Sequence, residues 1–214
     1  MLKIQSLTKK FGSQIVLDDV ALEINQGDRV IILGQNGAGK TTLLRCILGL
    51  YKPDAGFVQI RGFNPISDRK SALKDVAFIP QLPPPLPFSL SALIDYSVHT
   101  NGLDRTKIFH YGNLFGLDIN AHLGKPFSKL SGGMKQKVLA SLAFAKGSSF
   151  MLFDEPTANL DPNGRDTFRE IIRSREFADS TMIFISHRVD ELNTVLNREI
   201  MLDFGKVIKD EKIS

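Results

Sequence analysis

The chain has 214 residues, 43% of them hydrophobic, with 27 Lys and Arg against 23 Asp and Glu, a formal net charge of +4. That length holds one domain with room for an insertion, and the mild, scattered basic excess excludes a nucleic-acid footprint. No apolar run nears the roughly 18 residues of a membrane span, and the single cysteine, Cys46, excludes an internal disulfide.

The opening MLKIQSLTKKFG has no apolar stretch of the signal-peptide kind, so a cytoplasmic chain is expected. Leu2–Leu7, Val16–Ile24 and Phe57–Arg61 read as strands separated by turn signals at Phe11-Gly12-Ser13, Asn25-Gln26-Gly27-Asp28 and Pro53-Asp54-Ala55-Gly56. They predict an antiparallel part. Four other runs, Val30–Leu33, Val76–Ile79, Phe150–Phe153 and Met182–Ile185, are continuously apolar, as strands buried on both faces of a parallel sheet are. Each is closely followed by a polar or glycine residue suited to chemistry: Gly34, Gln81, Asp154 with Glu155, and His187. Ligands of α/β sheets bind beyond such carboxyl ends.

After the first of these runs comes GQNGAGKT, residues 34–41, the GxxxxGK[ST] pattern of a phosphate-binding loop. Gly34, Gln35, Asn36, Gly37, Ala38 and Gly39 can turn backbone N–H groups inward, and Lys40, Thr41 and Thr42 open a helix whose positive end favours phosphate. Lys40 is expected to reach the β- and γ-phosphates and Thr41 to ligate Mg²⁺. Cys46 falls in that helix and is read as a buried, inert thiol. His99, His110, His122 and His187 show no metal-ligand spacing.

Residues 81–87, QLPPPLP, hold four prolines and predict a stiff, extended connector. From about Ser89 to Leu123 the patterning is helical, broken at Asn101-Gly102 and Gly116, which predicts a helical lobe inserted into the nucleotide core. Next comes LSGGMKQ, residues 130–136, ahead of a helix over Met134–Lys146. Ser131 suits an N-cap, but Gly132 and Gly133 are costly in a first turn unless backbone must approach something closely. FMLFDEP then ends a buried strand in two carboxylates. Asp154 suits Mg²⁺ coordination, and Glu155 suits orienting an attacking water. Asp161 before Pro162 is an N-cap with proline at the first helical position. The closing EIMLDFGKVIKDE reads as a hairpin around Gly205-Lys206.

In this order the segments resemble the ATP-binding-cassette (ABC) ATPase family over nearly the whole chain. The resembling set is Phe11, GQNGAGKT, Gln81, LSGGM, FMLFDE, ANLD (158–161) and Ser186-His187. The resemblance implies an α/β P-loop NTPase core of RecA-like type, a mixed sheet with an antiparallel N-terminal part, and an inserted α-helical lobe. The core would be residues 1–81 and 148–214 of a single 1–214 domain, with the lobe at 82–147 carrying the signature. It also implies that Phe11 stacks on adenine with Val16 nearby, and that Gln81 binds Mg²⁺ and senses the γ-phosphate. Glu155 would be the general base and His187 would hold the γ-phosphate. Ser131, Gly132 and Gly133 would complete the site of a second copy, and Asp161 would connect the two sites.

The chain departs from the family pattern with Phe in place of the commoner Tyr at position 11 and Met134 in place of Gln after the glycines. Stacking needs the ring rather than the hydroxyl. The implied activity is ATP hydrolysis with Mg²⁺ by a cassette dimer, of this chain or with a homologous ATPase. It would drive an integral membrane permease subunit from the inner face of the cell membrane, with no nucleic-acid partner. The transported substrate would be set by that permease; a small exporter or a subunit for copper-enzyme or haem maturation is the guess. The alternative is an ABC ATPase of a non-transport assembly, such as a cell-division, metallocluster or mechanotransmission complex.

Overall fold

Residues 1–186 and 192–213 are described by the structure, a computed structural model. Residues that are neighbours in space fall into two compact units. The first is Met1–Val76, Ser149–Asp154 and Asp179–Ser214, and the second is Ala77–Ser148 and Glu155–Ala178.

In the first unit, β1 (Leu2–Phe11) lies between β2 (Gln14–Ile24) and β4 (Ala55–Ile60), antiparallel to both. The β1–β2 hairpin is longer than apolar alternation predicts. Its two-residue Gly12-Ser13 turn brings Phe11 opposite Gln14, and the register shifts after Ile4, Leu7 and Lys9 let it bend. A second sheet has β3 (Arg29–Leu33) between β7 (Thr181–Ile185) and β8 (Arg198–Asp203), parallel to both, with β6 (Phe150–Asp154) parallel to β7. β9 (Lys206–Lys212) closes it antiparallel to β8. Every residue of β6 and β7 is buried, which explains their unbroken apolarity. Phe153 and Phe184 stack between them with ring centroids 4.8 Å apart. α1 (Lys40–Ile47) follows β3 directly after the glycine loop, and α2 (Arg69–Leu73) is short. β5 (Val76–Ile79) carries the chain from the first unit into the second.

The second unit is helical: α3 (Leu90–Asn101), α4 (Arg105–Leu114), α5 (Gly132–Lys146) and α6 (Pro162–Arg173). Local signals set their ends. Ser89 Oγ accepts from Ala92 N–H and Gly102 closes α3 at φ 66°, a value that suits glycine. The core is aromatic and centres on Phe144 of α5, which meets Tyr111, Phe115, Phe168 and Phe177 at centroid distances of 5.4–6.3 Å. No helix among the described residues is long and apolar enough to cross a membrane.

Candidate nucleotide site

The loop between β3 and α1 shows why its glycines are required. A Cβ on Gly34 would lie 2.2 Å from the Leu202 carbonyl oxygen, and one on Gly39 would lie 2.8 Å from that of Val16. Both residues have positive φ, 151° and 105°. The loop is therefore pressed against β2 and β8 and can turn only with glycine there. Gly205, in the β8–β9 turn, fastens it further. Its N–H donates to the Ala38 carbonyl at 3.1 Å, and its own carbonyl accepts from Asp18 N–H at 2.9 Å.

Lys40 is 8% exposed, and its Nζ donates to the carbonyls of Gly34 and Gln35 at 2.5 and 3.0 Å. The ammonium is thus folded back over its own loop. Gln35, Asn36, Gly37 and Thr41 are exposed, Gly34 and Thr42 are half-buried, and Ala38 and Gly39 are buried. The first N–H groups of α1 have no acceptor within the helix, the arrangement that binds oxyanions. Asp154 ends β6, buried.

Phe11 ends β1 and is 45% exposed; Lys9 Nζ lies over its ring at 5.3 Å. Its ring meets Tyr51 edge-on at 5.3 Å. Val16, half-buried on β2, touches the glycine loop at Gly39 through its carbonyl. Tyr51 had no motif to mark it; only the fold brings it to Phe11.

The second unit carries the other residues. Glu155 is 8% exposed and sits at φ 48°, in the left-handed region that a non-glycine residue enters at a cost of about 1–3 kcal/mol. Ser131 caps α5 as its sequence context predicts, its Oγ accepting from Met134 N–H at 3.2 Å. The helix begins at Gly132, two residues before the predicted start, so both glycines lie within its first turn. A Cβ on Gly133 would stand 3.1 Å from the Asn159 carbonyl oxygen, a close approach between the signature and the segment after Glu155. Asn159 in turn donates from Nδ2 to the Gln81 carbonyl at 3.3 Å. Gln81 is exposed.

Asp161 caps α6 through Gly164 N–H at 2.8 Å and pairs with Lys137 Nζ at 2.9 Å. The hydrogen bond from Lys137, helped by that from Gly164 N–H, holds its carboxyl below the usual range. The second unit therefore brings Gln81, Ser131–Gly133 and Asp161 together through Asn159 and Lys137. His187 lies outside the described residues.

The family model described as ABC transporter matches residues 17–158, well over half of the chain. The chain belongs to the ABC transporter family. Among relatives of this cassette, the xylose/arabinose import ATP-binding protein XylG of Sulfolobus acidocaldarius is 32% identical over 99% of this chain and 88% of its own length. The Fe(3+) ions import ATP-binding protein FbpC of Photorhabdus laumondii is also 32% identical, over 97% of this chain, but the chain spans only 60% of that relative's length. In solved structures the cassette's fold matches the ATP-binding subunit of an ABC transporter with a TM-score of 0.89 at 24% identity, covering 100% of this chain and 90% of that one. It also matches the ATP-binding cassette MJ0796, bound to ADP and Pi in a dimeric post-hydrolysis state, with a TM-score of 0.85 at 24% identity over 100% of this chain and 99% of that one. The mixed α/β cassette fold, with its antiparallel N-terminal sheet, mostly parallel main sheet and helical part, is the one the sequence predicts.

Proposed function

We propose that this chain is the ATP-hydrolysing subunit of an ABC transporter, working as a dimer that encloses two ATP and drives a membrane permease. The observation that carries the reading is the pair of phosphate-ready backbone ends on one chain: the glycine loop with Lys40, and the Ser131-capped double-glycine start of α5. One loop is enough for one triphosphate, so a second helix start of this kind is best used on a nucleotide held by another copy.

The chain's own groups suit the chemistry. Lys40 would turn from the Gly34 and Gln35 carbonyls to the β- and γ-oxygens, exchanging neutral acceptors for charged ones. The glycine loop, whose tight turn against β8 and β2 needs Gly34 and Gly39, would present backbone N–H groups to phosphate oxygens. The oxygen donors of Thr41, Gln81 and Asp154 are of the hard type that suits Mg²⁺, and they would hold it. When bound, Mg²⁺ would supply positive charge to offset that on the phosphate oxygens. Glu155, fixed by its strained backbone, would orient water and accept its proton. Phe11 would stack on adenine beside Val16, and His187 would hold the γ-phosphate. Ser131, Gly132 and Gly133 would meet the partner copy's nucleotide, and Asp161 would link the two sites.

The relatives' names span iron(III), phosphonate and xylose/arabinose import and bacitracin transport, which supports a cargo chosen by the permease rather than by the cassette. The permease also supplies the reason for a membrane location, at the cytoplasmic face. The test is Lys40→Ala. ATP turnover should fall by about two orders of magnitude or more, the scale of a lost phosphate clamp, with labelled-nucleotide binding lost or strongly weakened. Turnover near that of the parent chain contradicts the reading.

A further inference from the structure

α5 carries one polar side chain that neither the signature nor the helix interior explains. Gln136, one turn after Gly132, is 0% exposed. Its Nε2 donates to the Pro156 carbonyl at 3.1 Å and to the Pro80 carbonyl at 3.4 Å. Those carbonyls belong to the residues on either side of the proposed chemistry: Pro80 precedes Gln81, and Pro156 follows Glu155. Two carbonyl acceptors allow only the NH₂ end of the amide to face them, so the orientation is fixed by chemistry. The opposite atom, Oε1, is buried and has no hydrogen-bond partner.

An unsatisfied buried acceptor costs about 1–3 kcal/mol. A hydrophobic side chain of similar size would fill the helix face without that cost, so packing does not account for a glutamine. What glutamine alone supplies is a two-pronged donor that ties the backbone beside Gln81 and the backbone beside Glu155 to the helix whose first turn holds Gly132 and Gly133.

We infer that Gln136 is a positioning residue for ATP hydrolysis. It registers Gln81 and Glu155 to the signature helix, so that a shift of any one of the three is felt by the other two. The inference rests on the function proposed above. Glu155 is placed by its left-handed backbone and by the carbonyl that follows it. Releasing that carbonyl should let the carboxylate drift from its water while the glycine loop, in the other unit, keeps its hold on ATP. Small misplacements at this range cost as much as about a hundredfold in rate.

Gln136→Met keeps the length and volume and removes both donors. In the full chain we expect fluorescent-ATP affinity within about threefold of the parent and kcat lower by about tenfold or more. Gln136→Glu is the second variant. Its ionised carboxylate faces two carbonyls, and burial raises its pKa, so a proton taken up on acidification restores one donor. Its kcat relative to the parent should therefore rise as pH falls from about 8 to about 6. A parent-like kcat in Gln136→Met overturns the inference. So does a joint loss of affinity, kcat and melting temperature in both variants with no acid recovery in Gln136→Glu, since that marks a residue needed only for folding. Lys40→Ala, assayed beside them, separates the two claims: if it hydrolyses ATP near the parent's rate, the reading of the glycine loop as the nucleotide site fails whatever Gln136 does.

Discussion

Cys46 shows how far local environment decides what a residue can do. It is fully buried on α1, and burial pushes its thiol up to about 11, with Lys9 opposing weakly. A raised thiol pKa keeps the group protonated and unreactive through neutral and mildly alkaline pH. Ellman's reagent at about pH 8 should therefore leave the native chain unlabelled and react with one thiol once urea unfolds it. Fast labelling of the folded chain contradicts the burial. Glu155 is the converse case, a residue held in an unfavourable backbone conformation just after a buried strand. Strain of that kind persists only where surrounding structure enforces it, and it clusters at functional positions.

At the scale of elements, α5 and α6 begin with side-chain caps, and the α6 cap doubles as an ion-pair partner. Asp161 accepts from Gly164 N–H and pairs with Lys137, which lowers its carboxyl pKa. A depressed folded-state pKa means that the stabilisation is present above the unfolded value and is lost as pH falls through the folded one. Asp161→Asn keeps a cap acceptor and loses the charge. Its melting temperature should sit below the parent's at neutral pH, and the gap should close as pH falls below the usual carboxylate range and through the parent's lowered folded-state value, where both side chains are neutral. A gap that stays constant with pH assigns the effect to packing.

These caps were legible because Ser131 and Asp161 carry their signal in the next three residues. So were the buried strands, whose apolarity is unbroken, and the glycine loop, whose spacing is specific. Gln136, Asn159 and Tyr51 were not legible as site neighbours. Each acts through a partner far along the chain, Pro80 and Pro156, Gln81, and Phe11 respectively, which no local period reveals. The one available hint was a glutamine on the apolar side of α5. The β1–β2 hairpin extended past its apolar alternation because ladder hydrogen bonds, not side-chain burial, hold its outer end.

For the whole molecule, the proposed role of the Ser131-capped start of α5 is to serve a nucleotide on a second copy. Glu155→Gln preserves shape but cannot take a proton from water, so it should bind ATP, stall and hold two copies together. Adding Ser131→Arg places bulk at the exposed start of α5 and should block that closure while each copy still binds ATP through its own glycine loop. The deciding measurement is the solution mass of Glu155→Gln by light scattering in saturating Mg-ATP, with and without Ser131→Arg. A dimer that forms only with ATP and disappears with the second substitution is the expected result. A Glu155→Gln chain that stays monomeric in ATP, or one that dimerises equally well with Ser131→Arg, contradicts the account.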